Sequence, residues 1–397
     1  MTLSLYKKNK TALGAAFLVS GCCIGAGMIG LPVMSAMTGF MPATIAMLLC
    51  YLFTTATGLL LLEATLWFDD KVNLPSIVGL TLGRFSKVIT LILFLSLFYC
   101  LFVAYLDGGG SLFADMLTAV LHHPIGHMTG TVSCLLFVGI ITYLGTHTVA
   151  GFNRILLIGL ILSYLILISI GLTQVSFNNL TKVDLKATFG TIPILLICFG
   201  YQNLVPSLTY YLEKNINHIR FAIIIGNLLP FFIYLIWNFV IIGMISVNFS
   251  NTDNTTMVTE LLQHAVPTFS ILFFVKAFSL FAMLTSFLPN AISFIDFLKD
   301  GLKHSTYRFD QNNWILYGLV FIPPFICTLF YPHLFLQALG FAGGFLDILL
   351  FGVLPAMVIL IGRRIKKIAG PYQVAGGYCV PILVLLLSLM VLYFKLS

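Results

Sequence analysis

Residues 20–32 read SGCCIGAGMIGLP, and the reading of this stretch decides the fold. It lies inside an apolar run from about Ala12 to Met37, long enough to cross a bilayer, where a spanning helix needs roughly 20 residues. Within the run stand Gly21, Gly25, Gly27 and Gly30, followed by Pro32. Glycine lifts the steric barrier to non-helical backbone and costs about 1 kcal/mol in a helix interior, so this density marks a helix built to break. A break frees backbone N–H and C=O groups. In hydrocarbon these survive only where protein buries them or where they line a cavity in which a solute can replace water. The simpler alternative is close helix packing through small residues, for which membrane helices also use glycine.

The composition around that stretch is that of an all-α polytopic membrane protein. With 59% hydrophobic residues, 8% charged residues and a mean hydropathy of +1.05 over 397 residues, a soluble globular chain is excluded, because about a quarter of its residues would be charged. The eight cysteines fall mostly in apolar segments without metal-ligand spacing and read as small buried residues, with no metal or cofactor implied. Eleven transmembrane helices are expected, at about Leu13–Met37, Pro42–Trp67, Val88–Asp107, Met128–Thr146, Asn153–Val175, Gly190–Tyr211, Ile219–Val247, Val266–Leu298, Trp314–Phe330, Leu334–Ile361 and Gly376–Phe394. The third span continues as helix to Leu121 or bends at Gly108–Gly110.

Orientation follows from the lysines and arginines that flank the spans. With a cytoplasmic N-terminus carrying Lys7, Lys8 and Lys10, sixteen of the twenty basic residues fall inside, among them Lys71, Lys214, Lys303, Arg308 and Arg363. Lys182, Lys186 and Lys395 fall outside, and Lys276 lies within a span. The C-terminus is then periplasmic. A net charge of +7 calls for no nucleic-acid partner, because cytoplasmic loops facing anionic lipid account for it.

A second breakable span is the sixth, where Phe199–Leu208 reads FGYQNLVPSL. Gly200 interrupts it, Gln202 and Asn203 are amides near mid-span, and Pro206 removes a backbone donor. Spans 1 and 6 therefore hold corresponding positions in two sets of five. An odd number of spans per set forces the sets into opposite orientations, which is the 5+5 inverted-repeat arrangement of many secondary transporters. The expected limits are 12–175 for the first repeat, 188–364 for the inverted second and 371–397 for one extra helix.

The motifs GCCIGAGMIGLP (21–32), FGYQNLVPSLTYYL (199–212), LTSFLPNAISFIDFL (284–298) and FIPPFICTLFYP (321–332), the last followed by LQALGFAGG, carry a family resemblance. The chain resembles the bacterial hydroxy and aromatic amino acid permeases, above all the tyrosine-type members, within the amino acid, polyamine and organocation superfamily. That resemblance implies a LeuT-like fold and an inner-membrane secondary transporter that imports tyrosine, with tryptophan or phenylalanine as further substrates, by proton symport. A sodium-coupled or broader neutral amino acid carrier of the same fold is the alternative. An enzyme would need a nucleophile or metal constellation, and neither HExxH nor GxSxG occurs. A channel would show a continuous polar pore face, whereas polarity here gathers at two helix breaks.

A zwitterionic amino acid needs donors for its carboxylate, acceptors for its ammonium and a slot for its side chain. Half-helix N-termini supply N–H groups and half-helix C-termini supply carbonyls. By resemblance, the backbone of Gly25, Ala26 and Gly27 faces the carboxylate, the carbonyls around Phe199 and Gly200 the ammonium, and Tyr201, Gln202 and Asn203 lie beside the aromatic part, with Ile24 a further substrate-binding candidate. Tyr201 and Gln202 also suit interhelical packing. Thr285 and Ser286 match the place where sodium-coupled relatives of the superfamily hold an ion, and equally suit a helix interface. Lys276 and Asp347 lie roughly 15 and 20 Å deep from the outer ends of spans 8 and 10. A charge at such depth needs water, a partner or neutralisation, so the two are expected to approach each other, directly or through water, when the outer pathway is closed and to serve in coupling; a fixed structural pair or two separate snorkelling residues are the alternatives. Glu63 is expected to snorkel or find a basic partner, and His122, His123 and His127 to be solvated loop residues.

Overall fold

The computed structural model describes residues 11–70, 72–181, 183–244, 269–302 and 314–396. Lys7, Lys8, Lys10, Lys71, Lys182, Lys303 and Arg308, with the span ends at Val247 and Val266, lie outside the described residues.

The first apolar run is two helices, α1 (Ala12–Cys23) and α2 (Gly27–Thr38), bent by 63° at the break. Thr11 starts α1 by accepting from Gly14 N at 3.1 Å. The helix stops because Ile24 turns extended (φ −76°, ψ 106°), and the backbone resumes as tight i→i−3 bonds, Met28 N to Gly25 O and Ile29 N to Ala26 O. Then follow α3 (Phe40–Leu66), α4 (Leu74–Leu82), α5 (Arg84–Leu121), α6 (His127–Tyr143), α7 (Thr146–Gly171) and the short α8 (Phe177–Leu180). Gly39 (φ 90°) and Gly83 (φ 100°) are single-residue hinges between successive helices, at a φ closed to other side chains.

The sixth expected span is again broken. Helix α9 (Leu185–Cys198) ends at Phe199–Tyr201, a 3₁₀ turn spans Gln202–Leu204, and α10 (Val205–Tyr211) follows with Pro206 in its first turn. After α11 (Ile216–Met244) come α12 (Phe269–Leu302), α13 (Trp314–Phe330) and α14 (Phe335–Phe341), which runs through a π-helical segment, Ala342–Val353, into α15 (Leu354–Arg364). The last helix is α16 (Cys379–Leu396). Among the described residues there is no strand.

Seven of these helices are long and apolar enough to cross a membrane, and the bent α1–α2 pair makes an eighth. The helices of His127–Tyr143, Trp314–Phe330 and Cys379–Lys395 are apolar but shorter. Helix α5 settles the question left at Gly108–Gly110: it runs unbroken for 38 residues, and the glycines serve packing. A side chain at Gly109 would meet Cys134 Sγ at 2.7 Å, and one at Gly130 would meet Gly110 O at 2.1 Å, so α5 and α6 touch nearly backbone to backbone. Ser20 Oγ donates to Gly226 O at 2.6 Å where α1 lies on α11.

At the pole where α3 and α15 end, Glu63 has found its basic partner. Arg363 Nε and Nη2 grip its two oxygens at 2.7 and 2.5 Å, Val374 N donates to it at 2.7 Å, and Arg363 Nη1 also reaches Gly377 O. The pair is buried and bidentate, and it folds the 365–378 connection under the bundle. Trp67 fills the space that Gly362 and Gly370 leave open.

Candidate functional site

The two breaks lie against each other. A side chain at Gly27 would meet Cys198 Sγ at 2.8 Å, and Cys22 Sγ donates to Gly200 O at 3.6 Å. The Tyr234 hydroxyl of α11 reaches both, 2.7 Å from Cys23 O and 3.2 Å from Cys198 O, the carbonyls at which the two half-helices stop.

Gly25, Ala26 and Gly27 form the start of α2, where amide groups have no preceding turn to pair with. Ala26 N donates to Ser286 Oγ of α12 at 2.9 Å, while Gly25 N and Gly27 N have no acceptor among the described residues. Across the break, Phe199 O has no donor among the described residues and Gly200 O has only the Cys22 thiol. Donors and acceptors thus lie on two helix ends that touch, and the glycines let the breaks close against Ser286 and Cys198.

Tyr201 and Gln202 turn away from that point. Tyr201 is fully buried, its hydroxyl donates to Thr54 O of α3 at 3.0 Å, and its ring fills the space above Gly58. Gln202 Oε1 accepts from Tyr201 N at 2.9 Å and Nε2 donates to Thr57 Oγ1 at 3.2 Å, so its amide stitches the break to α3. Asn203 is the exposed amide of the three. Ile24 is half-buried and supplies the extended residue of the break.

Thr285 bonds its own helix at Ala282 O, 3.0 Å away, and Ser286 holds Ala26. The expected meeting of Lys276 with Asp347 is not found. Lys276 pairs instead with Asp115 at 2.9 Å, both part-exposed, because α5 continues past Asp107 and carries Asp115 alongside α12. Asp347 lies in the π-helical segment, 5% exposed, with no hydrogen bond or ion pair among the described residues. The glycines one turn before it, Gly343 and Gly344, press on Pro193 of α9, which sets Asp347 at the level of the second break.

Accessibility is lopsided about the breaks. Gly27–Val33 is buried throughout, and a side chain at Gly30 would meet Leu336 at 3.0 Å. On the other side Gly21 has open space beside it, and Cys22, Asn203, Ser207, Ser293 and Asp296 are exposed although all lie within apolar spans.

Sequence reasoning missed Tyr234, Asp107 and Asp115. A tyrosine in an apolar span carries no local signal, and the acids find their partners only once α5, α6 and α12 are packed.

Two interrupted membrane helices whose touching ends carry unpaired amides and carbonyls are the architecture of a helical membrane transporter. The chain belongs to the tryptophan/tyrosine permease family, whose sequence model matches residues 8–395, and is therefore a multi-pass permease rather than an enzyme. It is similar to tyrosine-specific transport system 1 of Haemophilus influenzae, 30% identical over 390 residues and 96% of each chain. It is 28% identical to glutamine transporter 2 of Aliivibrio fischeri, over 97% of this chain and 99% of that one. It is 25% identical to the low affinity tryptophan permease of Escherichia coli, over 97% and 95%.

Proposed function

We propose that the protein imports aromatic amino acids, tyrosine foremost, across the bacterial inner membrane by proton symport and alternating access. The observation that carries this reading is that the unpaired Gly25 and Gly27 amides lie across the break from the unpaired Phe199 carbonyl and from the Gly200 carbonyl, which has only the Cys22 thiol, an arrangement suited to the carboxylate and ammonium of an amino acid. Relatives named for tyrosine and tryptophan support the aromatic side chain.

Seven long helices, the bent pair and three shorter apolar helices together support eleven spans, arranged as repeats 12–175 and 188–364 with 371–397 added. In the orientation with the start of α1 cytoplasmic and the C-terminus periplasmic, the exposed Cys22, Asn203, Ser207 and Ser293 lie on the inner side, and the conformation is inward-open. Asp347 is the proton carrier: a lone charge in hydrocarbon costs at least about 2.5 kcal/mol, so it exchanges its proton only in a state that wets it. Ser286 acts on the carboxylate end through Ala26, and the hydroxyl of Thr285 stays with its helix, which supports a proton over sodium.

A broader neutral amino acid carrier is the second reading. It draws support from Gln202, whose amide is engaged inside the protein and is not free to select a phenol hydroxyl, and from the relative named for glutamine.

Counterflow in proteoliposomes, with labelled tyrosine competed by each of the twenty amino acids, is the test. Efficient exchange blocked only by tyrosine, tryptophan and phenylalanine is expected. Competition by glutamine as strong as by tyrosine would establish the second reading, and no exchange with any amino acid would overturn both. Asp347→Asn is expected to keep counterflow while losing accumulation driven by a pH gradient.

A further inference from the structure

At the pole opposite Glu63 and Arg363, one buried carboxylate ties three segments of the chain. Asp107 of α5 is fully buried. Its Oδ1 accepts from His333 N at 2.9 Å and its Oδ2 from Phe335 N at 3.1 Å, so it holds the first turn of α14, the helix that continues toward Asp347. His333 takes a left-handed conformation (φ 69°) to present that amide. The third partner is His127, the first residue of α6, expected to be a solvated loop histidine. Its Nε2 lies 3.3 Å from Asp107 Oδ1 and 3.2 Å from Asp107 O.

We propose that Asp107 and His127 form a proton-binding latch at the outer mouth, whose protonated form pins the start of α14 to α5 and α6. The ligand is the proton itself, arriving from the outer solution through the part-exposed imidazole.

A carboxylate bound by two amides and an imidazolium has every lone-pair direction that it needs satisfied, and a charge-assisted hydrogen bond is about twice as strong as a neutral one. The hydrogen bond to Asp107 raises the His127 pKa above its ordinary value, against the opposing effect of partial burial. The tie is therefore complete at acid pH and weakens as pH rises through that raised value. The other ionisable groups around it are His333, whose ring centroid is 5.6 Å from that of His127, exposed His122, His123 and Tyr331, and the Asp115–Lys276 pair about two turns further along α5 and on α12. His333 contributes its backbone amide to the carboxylate, so its ring is not needed for the latch.

The latch rests on this geometry alone and not on the identity of the substrate, so it is tested without transport. Amide hydrogen exchange of residues 333–341 is measured on the purified full-length protein in lipid nanodiscs between pH 5.5 and 8.5, corrected for the intrinsic pH dependence of exchange. Protection is expected to fall on the order of tenfold as pH rises, the difference between a charge-assisted and a neutral hydrogen bond. His127→Gln, at a part-exposed position that tolerates an amide, is expected to abolish the pH dependence. His333→Ala, which keeps the backbone amide, is expected to retain it. Asp107→Asn is expected to lower protection at every pH. Equal protection across the pH range in the unaltered protein would overturn the latch. So would a full pH dependence in His127→Gln, or its loss in His333→Ala, which would assign the titration to the other imidazole.

Discussion

Replacing Gly25 with alanine tests whether the amides of the first break are held as the structure has them. The backbone at Gly25 has an ordinary negative φ and admits a side chain, so the effect comes from space alone. The new methyl would stand 2.0 Å from Ser286 Oγ and 3.3 Å from Ser286 Cβ, where real contacts do not fall under 3.0 Å. The hydroxyl must therefore swing aside by at least about 1 Å, which the 2.9 Å bond from Ala26 N does not survive. Leaving a buried donor unpaired costs about 1 to 3 kcal/mol, roughly a 5- to 150-fold penalty on the population that holds the break in shape. Thermal unfolding in detergent and initial uptake rate are measured for Gly25→Ala, Ser286→Ala and the double variant. Because Ser286→Ala has already given up the bond and removed the obstructing oxygen, adding Gly25→Ala to it costs little, and the pair is coupled by about 1 kcal/mol or more. Additivity within about 0.5 kcal/mol would refute the assignment of Ser286 as the partner of Ala26.

Glu63→Gln is expected to destabilise the protein by about 3 to 5 kcal/mol because it strands the buried Arg363, while Glu63→Met with Arg363→Met together recovers most of that loss, as denaturation midpoints would show. A membrane-impermeant maleimide applied from the side of the α1 N-terminus is expected to modify Cys22 in a variant lacking Cys379, the other exposed cysteine, and substrate is expected to protect it; modification unaffected by substrate would separate Cys22 from the path. Asp115→Asn and Lys276→Met are each expected to change stability by less than about 1 kcal/mol and to leave uptake intact, since the pair is part-exposed. Gly27→Val is expected to abolish uptake while the protein still inserts, because its side chain would collide with Cys198 Sγ, 2.8 Å from the nearest added carbon.

The helix breaks were legible because they are local. Glycine spacing at 21–30 and the Gly200–Pro206 interval act on the backbone within a few residues, and both interruptions lie where they were read. The directions of Tyr201 and Gln202 were not legible, since the non-helical residues before them leave their rotation to be set by Thr54, Thr57 and Gly58 on α3. Asp347 and Lys276 matched in depth along the membrane normal, but sequence fixes no angle around the bundle, and Asp115 was the nearer acid. His127 read as a loop histidine for the same reason: its partners at 107, 333 and 335 come from distant parts of the chain. The π-helical form of Ala342–Val353 has no counterpart in the hydrophobic pattern, which is apolar apart from Asp347.

The phenol of Tyr234 has one proton and two claimants. Cys23 O at 2.7 Å and Cys198 O at 3.2 Å lie on different half-helices, and only one of them can accept that proton at a time. The carbonyl left over is an acceptor in want of a donor, at the spot where the two broken helices meet. In the proposed binding mode a bound ammonium would satisfy it and free the phenol from choosing. An empty site would then keep one helix end tethered and the other slack, and a filled one would hold both, so that occupancy would be registered as the difference between one fastened end and two.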